Sequence, residues 1–184
     1  MKNLRRVVLL MLSLLAVASI AGAGSDRGID ATRKAADEGE ASAQHSLGLA
    51  YFSGQGVSRD LAEATKWFRK AAEKGFAPSQ YMLGVTFMVS EDTPKDYVEA
   101  TKWFRLAAEQ GFTDAQCMLS AAYATGRGAQ KDDVLAYMWS SIAATHGDKD
   151  ASEFRDQVAR KMTPEEIARA KEMARAWKPK PQQK

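Results

Sequence analysis

The sequence predicts an all-α fold, an array of antiparallel helix–turn–helix units. Three observations carry that expectation. The chain matches itself at a shift of 36 residues: Lys66 to Phe76 reads KWFRKAAEKGF and Lys102 to Phe112 reads KWFRLAAEQGF. Helix starts and stops recur at the same shift, with Asp60, Asp96 and Asp132 as caps and Gly39, Gly75, Gly111 and Gly147 as ends. Small residues recur too, as alanine pairs at Ala71-Ala72, Ala107-Ala108 and Ala143-Ala144. They let helices approach closely, whereas one hairpin alone cannot bury such a face, so units must stack.

The N-terminus reads as a secretory signal over residues 1–23. Lys2, Arg5 and Arg6 precede an apolar run from Val7 to Ala18 that only Ser13 interrupts, and Ala21-Gly22-Ala23 supplies the small-residue site. Cleavage is expected between Ala23 and Gly24. The run is shorter than the roughly 20 residues of a spanning helix, so stable membrane insertion is not expected after cleavage. The expected location is the periplasm or the extracellular space. Of 26 basic residues against 23 acidic ones, the signal holds three basic and no acidic, leaving a mature chain near neutrality. Nucleic-acid binding thereby loses its electrostatic footing. Cys117 is the one cysteine, so no internal disulfide forms.

Residues 29–42 hold an N-terminal half-unit, because Ala35-Ala36-Asp37-Glu38-Gly39 matches the end of a second helix. Complete units follow over residues 43–76, 77–112 and 113–148. In the first, helix A is expected from about Ala41 to Phe52 and helix B from about Leu61 to Lys74. Asp60 with Glu63, and Asp96 with Glu99, place an acceptor at the cap and a carboxylate three residues on. Gly54-Gln55-Gly56 and Gly126-Arg127-Gly128 make the turns between helices; with no strand before and no third glycine after, they are not phosphate loops. Trp67, Trp103 and Trp139 are expected to fill the volume between hairpins.

The pattern A-Q-x-x-L-G-x-x-Y, G-x-G, then W-F-x-x-A-A-E-x-G resembles the Sel1-like repeat, a relative of the tetratricopeptide repeat. Ala43, Gln44, Leu47, Gly48, Tyr51, Gly54, Gly56, Ala64, Trp67, Ala71, Ala72, Glu73 and Gly75 carry it. The resemblance implies a right-handed α-solenoid and an adaptor role in protein–protein interaction. The second copy departs by replacing its glycine turn with Ser90-Glu91-Asp92-Thr93-Pro94. The third has Ser120 for glycine and ends Ala-Ala-Thr-His-Gly, a degeneration that fits a terminal, capping position. Cysteine-rich secreted relatives that bind β-lactams carry a disulfide in each unit; one cysteine here does not transfer that activity.

After Gly147 the sequence period stops. Residues 149–177 are expected to cap the array with two helices, Asp150 to Lys161 and Thr163 to Ala176. Thr163-Pro164-Glu165-Glu166 is a strong helix start. Ile167, Ala170, Ala174 and Trp177 form a stripe suited to cover the third unit. Residues 178–184, KPKPQQK, read as a solvated, disordered tail.

No catalytic residue, metal site or cofactor is predicted. His45 and His146 lie almost three units apart, and the zinc and serine-nucleophile motifs are missing. Cys117 reads as a half-buried inert thiol with no base beside it. The feature open to function is a second apolar face on helix A, opposite Leu47: His45, Leu49 and Phe52, with equivalents Tyr81, Val85 and Met88, then Cys117, Ala121 and Ala124. Either neighbouring hairpins bury helix A all round, or these residues line a concave groove for a peptide or partner helix. The leading expectation is a non-enzymatic, monomeric, extracytoplasmic scaffold holding a protein or peptide. The alternatives are an envelope-acting hydrolase of cell-wall or β-lactam substrates, and a secreted effector binding host proteins.

Overall fold

The computed structural model describes residues 26–89 and 96–181 of the 184. The signal, the Ser90–Pro94 turn and the last three residues of the tail lie outside the described residues. Among the described residues the elements are helices alone: α1 (Asp26–Asp37), α2 (Ala41–Ser53), α3 (Leu61–Glu73), α4 (Ala77–Val89), α5 (Tyr97–Glu109), α6 (Thr113–Thr125), α7 (Asp133–Thr145), α8 (Lys149–Ala159) and α9 (Pro164–Ala176). The expected boundaries hold to within one or two residues. The chain divides into two compact units, Met1–Lys74 and Gly75–Lys184.

Helix starts follow the capping chemistry. The Asp60 carboxylate accepts from the N–H groups of Ala62 and Glu63 at 2.9 and 3.0 Å. Asp96 accepts from Glu99 and Asp132 from Leu135, both at 2.9 Å. These recurring acids are helix caps, not paired catalytic carboxylates. Thr163 and Glu166 close a reciprocal capping box at the start of α9. At the other end, the Phe112 N–H reaches back to the Ala107 carbonyl at 3.1 Å across Gly111, whose φ is +92°. That geometry satisfies terminal carbonyls that the helix leaves unpaired.

In the first unit, α2 lies between α1 and α3. Leu47 is fully buried against Ala36, Ala43 and Trp67, with Ile29 and Tyr51 at the rim. In the second unit, Ala107, Ala108, Ala115, Leu119, Trp139 and Ile142 form the main core. A neighbouring cluster of Ala136, Tyr137, Val158 and Ala170 joins α7 to α8 and α9.

The recurring glutamine has a structural role. Gln44 Nε2 donates to the Ala36 carbonyl at 3.0 Å, and Gln116 Nε2 donates to the Ala108 carbonyl at 3.3 Å. Each side chain is buried and ties the end of a B helix to the next A helix. The turn glycines also do more than bend the chain. A Cβ on Gly128 would lie 2.0 Å from the Tyr97 carbonyl oxygen, so this turn rests directly on the start of α5. Arg127 stacks 4.9 Å from the centre of the Tyr97 ring beside it.

Three expectations need correction. Trp67 and Trp139 are buried, but Trp103 is only partly so, its Nε1–H donating to Glu99 Oε1 at 3.1 Å. The deepest aromatics are instead Phe68 and Phe104. The structural period also outlasts the sequence period: α8 begins at Lys149, 36 residues after α6 begins at Thr113. Ala151 of α8 stays buried at the position of Ala115 although the rest of the signature is gone. Finally, the tail from Lys178 to Pro181 is exposed but held, since the Lys180 N–H donates to the Glu109 carbonyl at 2.8 Å.

Candidate functional site

The helix A positions are set by the glycine notch beside them. An ideal Cβ on Gly48 would stand 2.6 Å from the Phe68 ring, and one on Gly84 2.6 Å from the Phe104 ring. Real atoms do not approach so closely, so each phenylalanine occupies the space that its glycine leaves. In the third hairpin the pair is Ser120 and Ser140, and both hydroxyls donate to the Ala136 carbonyl, at 2.6 and 2.8 Å.

This difference decides what the second face of helix A rests on. In the first unit, His45 and Phe52 lean on Phe68, with ring centres 5.7 and 6.4 Å apart. Leu49 lies between them on α2, half-buried. In the second unit, Tyr81 stands 5.7 Å from Phe104 and 5.3 Å from Phe112, centre to centre. Val85 is only 3% exposed, while Met88 is half-buried. At the equivalent register of the third hairpin the residue is the smaller Cys117, and Ser140 and Asp148 take the places of Phe104 and Phe112. Its thiol donates to Asp148 Oδ2 at 3.6 Å, and Asp148 Oδ1 caps α8 through the Ala151 N–H at 2.9 Å. An acceptor therefore does stand beside the thiol, which the sequence did not reveal because Asp148 is 31 residues away. Ala121 and Ala124 are half-buried.

The nine side chains thus stay as two groups on their own units. Apart from Val85, each is half-buried. Burial against the Phe68 side drops the His45 pKa to about 4, because the imidazolium would lose its hydration there. His45 is accordingly neutral at pH 7, an aromatic surface residue rather than a charge. Among the described residues, no group of three or more His, Cys, Asp or Glu side chains is gathered to hold a metal ion. No helix among them is long and apolar enough to cross a membrane. Phe68 and Phe104, which support the face, escaped the sequence reading although the repeated tryptophan–phenylalanine pair pointed to them.

The Sel1 repeat model matches the chain three times, over residues 41–76, 77–112 and 113–148. The chain belongs to the Sel1-repeat family. Two of the solved structures that resemble it show what it is similar to. One is the crystal structure of c5321, a protective antigen present in uropathogenic Escherichia coli strains displaying an SLR fold. It is 31% identical with a TM-score of 0.76, covering 89% of this chain and 37% of that one. The other is a Sel1 repeat protein from Oxalobacter formigenes, 35% identical with a TM-score of 0.65, covering 71% of this chain and 98% of that one. This Sel1-repeat chain therefore spans little more than a third of the length of c5321. No curated protein matches it. The fold class is an all-α repeat solenoid. Sel1 repeats are typically scaffolds for protein–protein interaction and are generally non-catalytic.

Proposed function

We propose that this Sel1-repeat chain is a non-enzymatic, extracytoplasmic scaffold that holds a protein or peptide segment on the helix A faces. One observation carries the reading: Tyr81 is supported from below by Phe104 and Phe112 yet remains part-exposed. A rigid aromatic braced by a packed core loses little entropy on binding, which is what an anchor needs. His45 and Phe52 on Phe68 repeat the arrangement in the first unit. The extracytoplasmic location rests on the N-terminal signal, and the antigen role of the 31%-identical c5321 supports it.

The deciding experiment replaces Tyr81 with Ser in the mature chain. A photo-crosslinking residue at the same position identifies what touches this face in an envelope fraction. Affinity for the captured partner and the denaturant melt are then measured on Tyr81→Ser. A loss of about 2 kcal/mol in binding with a nearly unchanged melt is the expected result. A melt that falls by several kcal/mol would make the face internal packing and end the reading. Location is tested separately: N-terminal mass analysis in the native host should find Gly24 first, and an intact Met1 would refute export.

A further inference from the structure

Beyond α9 the chain runs extended across the junction of α5 and α6. Trp177 ends α9 with its N–H on the Met173 carbonyl, and its ring meets Trp139 edge-on at 5.8 Å. Pro179 and Pro181 alternate with Lys178 and Lys180, a spacing that favours the polyproline II conformation. Pro179 lies over Gly111, its Cβ 3.5 Å from where a Gly111 Cβ would be. Lys180 then meets Glu109 twice. Its N–H donates to the Glu109 carbonyl at 2.8 Å, and its Nζ lies 2.6 Å from Glu109 Oε2.

The position of Glu109 calls for a physical reason. It closes α5, where unpaired carbonyls already concentrate negative charge, and a carboxylate there opposes the helix dipole. An acid recurs at this place, as Asp37 on α1 and Glu73 on α3. A lysine arriving at such a helix end neutralises both the carboxylate and the dipole. The Glu109 carbonyl adds a main-chain contact by accepting from the Lys180 N–H.

We propose that the α5–α6 junction, from Glu109 to Gly111, is a docking site for an extended lysine–proline segment of a partner protein, and that the chain's own Lys178–Pro181 occupies it in cis. This deepens the scaffold reading and rests on it, but it uses a helix junction rather than the helix A side chains. The ion pair suits an exchangeable occupant. Lys180 is 68% exposed, so the contact is weak and screened by salt, and attachment to α9 supplies the local concentration that keeps it in place. A partner segment of the same chemistry competes with a tether, not with a buried core.

The test uses a fluorescently labelled peptide with the sequence of residues 178–184, titrated into the full chain and into a chain ending at Trp177. The truncated chain should bind it at least about threefold more tightly, because the tethered competitor is gone. Glu109→Gln in the truncated chain should weaken binding by about fivefold, and a scrambled peptide of equal composition should bind no better than that variant. Equal binding by the full and truncated chains would overturn the proposal, as would indifference to Glu109→Gln or to scrambling. If Glu109→Gln melts early, Lys180→Gln in the full chain decides instead, since it should admit the peptide as truncation does. Failure here leaves the helix A reading standing, because Tyr81→Ser tests that face alone.

Discussion

The second and third hairpins share a backbone plan and solve the same packing problem in opposite ways. Between α4 and α5, Gly84 gives up its side chain so that Phe104 can press against the α4 backbone. Between α6 and α7, Ser120 and Ser140 share the burden and anchor themselves to one carbonyl. What looks like decay of the repeat in the third copy is a coupled exchange. The glycine and the phenylalanine disappear together, and the ring-supported Tyr81 is replaced at its register by Cys117. The repeat unit is therefore a pair of facing positions rather than a string of preferred residues.

Removal of one member of a pair should have the largest effect on stability. Phe104→Ala should cost about 3–5 kcal/mol in denaturant melts, since it empties a buried ring site that Gly84 cannot fill. The double variant Gly84→Ser with Phe104→Ser transplants the third hairpin's solution. It should cost less than the sum of its two single variants, because removing the Phe104 ring frees the space in which a side chain at position 84 would otherwise clash. Strict additivity in that cycle would mean that the two positions do not form a unit.

A second effect separates the first hairpin from the third. His45 titrates near 4 in the folded chain, against an ordinary value near 6.5, because burial opposes its charge. The unfolded chain therefore binds the extra proton first as pH falls. The stability from neutral His45 is complete above about pH 6.5 and declines between there and about pH 4, by up to roughly 3 kcal/mol. Replacing His45 by the Cys found at its register in the third hairpin should flatten that part of the pH–stability curve. A curve that keeps its slope in His45→Cys would assign the pH dependence elsewhere.

A smaller effect should be indifferent to hairpin type. Gln116→Ala deletes the donor to the Ala108 carbonyl and should cost about 0.5–1.5 kcal/mol, the net worth of one hydrogen bond, because that carbonyl still accepts from the Gly111 N–H. Gln44→Ala should cost a similar amount in the first unit, where the donor serves Ala36. If only one of them destabilises, the glutamine belongs to a particular hairpin and not to the repeat.

Much of this architecture was legible in the amino-acid order alone. Helix limits are written in short-range chemistry: Asp60, Asp96, Asp132 and Thr163 cap helices through backbone groups two or three residues away. The 36-residue period announced the hairpins because identical packing needs recur at identical spacing. The second face of helix A was also visible as a stripe, from 100° geometry. What lies beneath that stripe, however, depends on helix B and on side chains about 20 residues away, as with Phe68 under Gly48. Only the tertiary structure decided that Phe68 and Phe104, rather than all three tryptophans, form the deepest aromatic layer. It alone set Asp148 beside Cys117 and extended the helical period to α8 after its sequence signature had gone. It also turned the lysine–proline tail from a free end into a segment bound at Glu109. Local order along a chain is dictated by neighbours in sequence, which any reader of the chain can see; burial, shared carbonyls and docked ends are dictated by neighbours in space, and those exist only once the hairpins have met.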